Sequence, residues 1–117
     1  MPYGKPREDY DPRFPLPPVP TLDLLASNDA GTLAVLAGRY KSPFLYGSLA
    51  RGEAGPGSDI DIAATAAEGL DPWWDFRMSL ELSWLLGVPV DLIRWDRMSP
   101  EHRATARRDA LPLHCLG

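Results

Sequence analysis

The sequence predicts an α/β fold of the α+β kind, a small mixed β-sheet packed with helices, and three observations point to it. Helical and strand-like segments follow one another in the order helix, strand, strand, helix, strand, helix. The strand-like runs are short and flanked by Gly and Pro, while the longest helical segment has both a start and a stop signal. With 117 residues, there is room for one ordinary domain with a single modest core.

Residues 1–20 hold seven of the 13 prolines, and Pro15 to Pro20 lack the backbone donors that a helix or central strand requires. They read as a proline-rich extended segment ahead of a domain spanning 21–117. Their PxxP spacing matches some recognition ligands, but a tail that wraps the domain or hangs loose is the commoner use. Leu22 to Ala26 suit a short helical turn. Asn28 or Asp29 would cap a firmer helix reaching about Tyr40, with Leu33, Leu36 and Ala37 facing inward. Phe44-Leu45-Tyr46 is a candidate buried strand, and Gly47 to Gly52 a turn passing into a short helix. After the loop signal Gly55-Pro56-Gly57, Asp59 to Ala64 alternates acidic with apolar residues and forms the second strand. Asp71 and Pro72 open the longest helix, Pro72 to Leu86, and Gly87 stops it. Phe76, Met78, Leu80, Leu82 and Trp84 alternate as a strand would, so length and capping decide for helix. Val88 to Ile93 is the third strand, and Ser99-Pro100-Glu101 starts a last helix to about Ala110.

Hydrophobic content of 44% and charged content of 24% are ordinary for a soluble domain. No apolar run approaches the roughly 20 residues that span a bilayer, and no secretory leader is visible, so a cytoplasmic protein without membrane contact is expected. Cys115 stands alone and forms no intramolecular disulfide. The formal charge of −4 is unevenly spread. Residues 42–91 carry eight acids against Arg51 and Arg77, whereas residues 94–117 carry five arginines against three acids. The first segment invites cations, and the second is too weakly basic for a nucleic-acid surface, so no direct nucleic-acid binding is expected.

Residues two apart in a strand share a face, so Asp59 and Asp61 set two carboxylates side by side while Ile60 and Ile62 enter the core. Adjacent carboxylates repel one another, and a hard cation such as magnesium, which takes oxygen ligands, relieves that repulsion. Asp91, between Val90 and Leu92, adds a third carboxylate if its strand lies beside the second. Gly47 lets a backbone approach a triphosphate, and Ser48 with the following amides can bind its oxygens. Arg51, about one turn on, is a charge-assisted donor to the same phosphates. Ser58 either orients the first aspartate or ends the loop. Taken singly, a Gly-Ser turn is usually only a turn, and an Asp-x-Asp is usually a solvated strand face.

In combination, Leu45-Tyr46-Gly47-Ser48-Leu49-Ala50-Arg51-Gly52, then Gly57-Ser58-Asp59-Ile60-Asp61-Ile62, then Pro89-Val90-Asp91-Leu92-Ile93 resemble the polymerase-β-like nucleotidyltransferases. The likeness covers about residues 29–113 and is strongest to the minimal nucleotidyltransferase (MNT) branch, whose members often act as antitoxins beside HEPN-domain ribonuclease toxins. The resemblance implies the nucleotidyltransferase (polymerase-β-like) fold, with Asp59, Asp61 and Asp91 binding two magnesium ions and Asp91 the candidate base. It also implies that Gly47, Ser48 and Arg51, with Ser58 nearby, hold the nucleotide, ATP in the leading version. Leu49 departs from the basic or polar residue often found at its place. The activity implied is transfer of AMP to a hydroxyl of a HEPN-type partner protein. A non-catalytic binding antitoxin and an aminoglycoside-modifying enzyme are the alternatives, the latter disfavoured because no further domain is available to hold a small acceptor.

Among other residues, Trp73, Trp74 and Trp84 read as core or interface, and four tryptophans exceed what so small a core readily buries. The acceptor surface is expected to include the long helix and the C-terminal region, and an oligomer is compatible with this. Arg103 and Arg107 share a helix face and read as solvated. His114 and Cys115 are too few ligands for a zinc site.

Overall fold

The computed structural model describes residues 18–113, so the segment through Pro17, along with His114 and Cys115, lies outside the described residues. The helices are α1 (Leu22–Ser27), α2 (Asp29–Leu36), α3 (Trp73–Leu86) and α4 (Pro100–Asp109); the strands are β1 (Tyr40–Tyr46), β2 (Ile60–Ala66), β3 (Val90–Arg94) and β4 (Leu111–Pro112). A short 3-10 turn, Trp95–Arg97, links β3 to α4. The sheet runs β3-β2-β1-β4, with β1 antiparallel to β2 and β4, and β2 parallel to β3. A parallel neighbour needs a crossover, and α3 supplies it.

Three elements differ from the sequence expectation. The helix expected to reach Tyr40 ends at Leu36, because Ala37 turns extended and Gly38 takes a left-handed φ of 83°. Leu36 enters the core, but Ala37 is exposed. Tyr40 instead opens β1, whose pairing with β2 slips between Lys41 and Phe44, where Ser42 has a φ of 54°. This bulge accommodates Pro43 and divides the strand, so that only its second half reads as β in the sequence. From Gly47 to Gly52 the chain makes hydrogen-bonded turns without becoming a helix.

The two sheet faces are covered differently. On one, Leu45, Ile60, Ile62, Val90 and Leu92 pack against Leu25, Leu36, Met78, Leu82 and Leu86 of α1, α2 and α3. On the other, Tyr46 and Ala63, with Phe44 and Ile93, meet Met98, Trp95 and Ala106 of α4 and its approach. Burial of these side chains stabilises the fold by about 1.5–3 kcal/mol for each large one.

The uneven pattern of α3 has a structural cause. Met78, Leu82 and Leu86 face the core, while Phe76, Leu80 and Trp84 stand on the outer side, Trp84 being 88% exposed. Trp73 is also exposed, so neither it nor Trp84 belongs to the core; Trp74 is half-buried with the Arg39 guanidinium 4.0 Å above its ring. Two apolar stripes on one helix add up to apparent alternation.

On its inner flank, α3 secures the edge strand β3. Ser79 Oγ donates to the Asp75 carbonyl at 2.8 Å and accepts the Leu92 N–H at 3.0 Å. Ser83 Oγ repeats this one turn on, donating to the Ser79 carbonyl at 2.7 Å and accepting the Val90 N–H at 2.9 Å. These hydroxyls satisfy two donors of β3 that no strand pairs. Arg94 at the end of β3 is buried, and its Nε meets Asp75 Oδ2 at 2.7 Å while Tyr40 Oη donates to Asp75 Oδ1 at 2.5 Å. An arginine this buried requires such a partner.

Candidate active site

The pairing register puts Tyr46 of β1, Asp61 of β2 and Asp91 of β3 in one row across three adjacent strands. Alternation turns Ile60 and Ile62 toward α3, so Asp61 and Asp91 lie on the α4 face. Asp59 lies one residue ahead of β2, at its mouth. Burial, followed by the charges of Asp91 and Asp59, pushes the Asp61 carboxyl up to about 6, with Arg51 opposing. Asp91 is also raised, by burial and then by Asp59, while His102 works against the rise. Tyr46 holds its phenolic proton more firmly than usual because burial and then the charges of Asp61 and Asp91 disfavour phenolate.

Gly47 has a φ of 82°, and a β-carbon built there would lie 2.4 Å from Asp61 Oδ2. The glycine thus leaves room for an acid on the next strand as well as permitting the turn. Beyond it, the Arg51 N–H reaches the Gly47 carbonyl at 3.1 Å, and the Glu53 N–H reaches that of Ser48 at 2.8 Å. Leu49 fills the core. Arg51 makes two side-chain contacts, Nε to Glu53 Oε1 at 2.5 Å and Nη1 to Asp109 Oδ2 at 2.8 Å, the second fastening the turn to the end of α4. Ser58 is buried, and its Oγ accepts the Gly55 N–H at 2.9 Å, which gives it a loop-holding role.

The structure therefore brings Gly47, Arg51, Asp59, Asp61 and Asp91 to one end of the sheet and turns Ser58 into its own loop. It adds residues with no local sequence signal. His102, in the first turn of α4, meets the Tyr46 ring edge-on at 5.5 Å between centroids. Arg103 and Arg107 are not simply solvated: both guanidiniums lie over Trp95, and Arg103 donates to the carbonyls of Trp95 and Asp96.

Among the described residues, no three His, Cys, Asp or Glu side chains already converge as an ion-holding group. Asp59 and Asp91 nonetheless lie close enough to Asp61 for their charges to raise its carboxyl, and Asp59 raises that of Asp91 in the same way. An all-oxygen donor set whose members repel when ionised, beside a glycine kept open for one of them, fits a hard divalent cation.

A family model for the nucleotidyltransferase domain matches residues 38–112. A solved structure described as a candidate minimal nucleotidyltransferase is 32% identical with a TM-score of 0.71, over 80% of this chain and 96% of that one. A toxin–antitoxin structure with AMP-PNP is 25% identical with a TM-score of 0.65, over 75% of this chain and 71% of that one. A complex of tri-AMPylated HEPN toxin with MNT antitoxin from Shewanella oneidensis shares the fold at 22% identity and a TM-score of 0.61, over 80% and 71% of the two chains. No curated protein matches this chain. The chain belongs to the nucleotidyltransferase domain family, in its minimal nucleotidyltransferase branch. The expected fold, a mixed sheet packed with helices, is the one observed. Among the described residues, no helix is long and apolar enough to cross a membrane.

Proposed function

We propose that this chain is a magnesium-dependent nucleotidyltransferase that moves AMP from ATP to a hydroxyl of a separate protein, a HEPN-type toxin for which it serves as antitoxin in the cytoplasm. The observation that carries this is the register of Asp61 against Asp91, with Asp59 at the strand mouth and Gly47 leaving space for the Asp61 carboxylate. Asp59, Asp61 and Asp91 would hold the metal, two ions in the full version. Bound there, magnesium would neutralise the crowded acids and draw charge from the phosphates. The Gly47-Ser48 turn would seat the triphosphate, and Arg51 would exchange a carboxylate partner for a phosphate oxygen. In the reaction, the acceptor oxygen bonds to the α-phosphorus, the bond to pyrophosphate breaks, and the hydroxyl proton passes to Asp91.

The acids face α4, so an acceptor protein would approach on the side of Tyr46, His102 and Trp95, away from α3. Of the two parts of the expected acceptor surface, this supports the C-terminal region over the long helix. The AMP-PNP and tri-AMPylated toxin complexes among the structural relatives support both nucleotide and partner. Incubating the chain with labelled ATP, magnesium and a cognate HEPN-type chain should label that chain on a hydroxyl, and Asp91→Ala should abolish the label. Tight binding without label would favour neutralisation by contact alone, and labelling of an aminoglycoside with none on protein would overturn the proposal.

A further inference from the structure

The outer face of α3 is apolar, yet nothing in the chain's described residues covers it. Trp73 is 53% exposed, Phe76 64%, Leu80 49% and Trp84 88%, all on one side of a 14-residue helix. Together they leave on the order of 500 Å² of apolar surface in water, at the upper end of what monomers tolerate. Beside them runs a shallow groove lined by Pro18, Gly57, Leu80, Trp84, Val88 and Pro89.

We propose that this face binds a second copy of the same chain, with the two α3 helices antiparallel about a twofold axis near Ser79 and Leu80. Two features are self-complementary. In such a pair, a residue on one helix opposes the residue equally far beyond the axis on the other. Arg77 and Glu81 lie on one flank of the stripe, two residues either side of Ser79, and already attract within the helix at 3.1 Å. Across the twofold, Arg77 faces the other copy's Glu81, and the reciprocal contact repeats it. The apolar residues pair about the level of Leu80, one residue beyond the midpoint of the charged pair, an offset of about 1.5 Å that the long Arg and Glu side chains span: Phe76 opposes Trp84, and Leu80 opposes itself. Each copy thus offers a projecting ring, Phe76, and a groove beside Leu80 and Trp84 that receives it. A stable interface takes about 800 Å² from each partner, and the stripe supplies on the order of 500 Å² of it as apolar surface, with Arg77 and Glu81 on its rim.

Sedimentation equilibrium of the full chain tests this, with circular dichroism confirming that each variant is folded. The wild type should sediment as a dimer at micromolar concentration. Leu80→Glu and Trp84→Glu, both at exposed positions, should be folded monomers. Arg77→Glu and Glu81→Arg should each dimerise at least tenfold more weakly, because each sets like charges opposite one another. Mixed together, these two variants should recover association, since every cross-copy pair is then of opposite sign, and no intrahelical change can produce that recovery. A monomeric wild type, a dimer indifferent to Leu80→Glu, or failure of the mixture to associate would overturn the proposal. Nucleotidyl transfer is read separately, so loss of dimer and loss of activity remain distinguishable.

Discussion

At the scale of single residues, Gly47 and Asp61 are coupled by space. Gly47→Ala would place a β-carbon against the Asp61 carboxylate while holding an L side chain at positive φ. The expected result is a stability loss of about 1–2 kcal/mol and a fall in nucleotidyl transfer of about a hundredfold or more, measured by melting and label transfer. Activity close to wild type would remove the spatial reason for the glycine. Asp61 also makes a prediction about pH. Its folded-state carboxyl titrates near 6 rather than 3.8, so its stability contribution is full below about pH 4 and is lost as pH rises through 6. In metal-free protein, Asp61→Asn should therefore be more stable than wild type at pH 8 by about 1–2 kcal/mol, the full shift of roughly 3 kcal/mol being discounted for solvent screening. The gain should vanish near pH 4, and melting curves across pH 4–8 follow it. Magnesium should stabilise the wild type and not the variant. A gain independent of pH would contradict an origin in the burial of the Asp61 charge beside Asp91 and Asp59. The aspartates and Gly47 are legible in the sequence because strand alternation and turn chemistry are local rules. The partner of Arg51 is not, since Asp109 lies 58 residues away and its pairing depends on how α4 lands. Ser58 illustrates the other limit: a hydroxyl two residues ahead of β2 shows no partner in the sequence, and only the folded loop brings it to the Gly55 N–H.

At the scale of elements, α3 was recognisable from its ends and ambiguous along its length. Gly87 stops it at a φ of 73°, as its type suggests, while the two apolar stripes mimic a period of two. The helix also contains Ser79 and Ser83, poor formers in a helix interior whose four-residue spacing becomes meaningful only beside β3. Replacing either by Ala leaves a strand N–H without its acceptor, and the expected loss is about 1–2 kcal/mol after Ala's better helix propensity is counted. Urea melts should show it, with faster amide exchange at Leu92 for Ser79→Ala and at Val90 for Ser83→Ala. Unchanged exchange would show that these hydroxyls hold nothing in solution. The bulge at Ser42-Pro43 and the two-residue β4 were beyond pattern reading, one because proline interrupts the strand and the other because two residues carry no period.

At the scale of the whole molecule, the sheet acts as a partition. Asp61 and Asp91 lie on the α4 side, and the apolar stripe of α3 lies outside the opposite layer. A twofold pair joined through α3 therefore turns its two acidic ends outward, each open to a different visitor. Such a pair is divalent. Against a target that carries two or more acceptor hydroxyls in a fixed assembly, the second engagement becomes intramolecular, and its strength is set by the distance between sites as much as by any contact. With the proposed function, avidity of this kind would let a small nucleotidyltransferase domain with modest affinity per site remain attached through successive transfers, with the spacing of its two mouths selecting which assemblies it can grip.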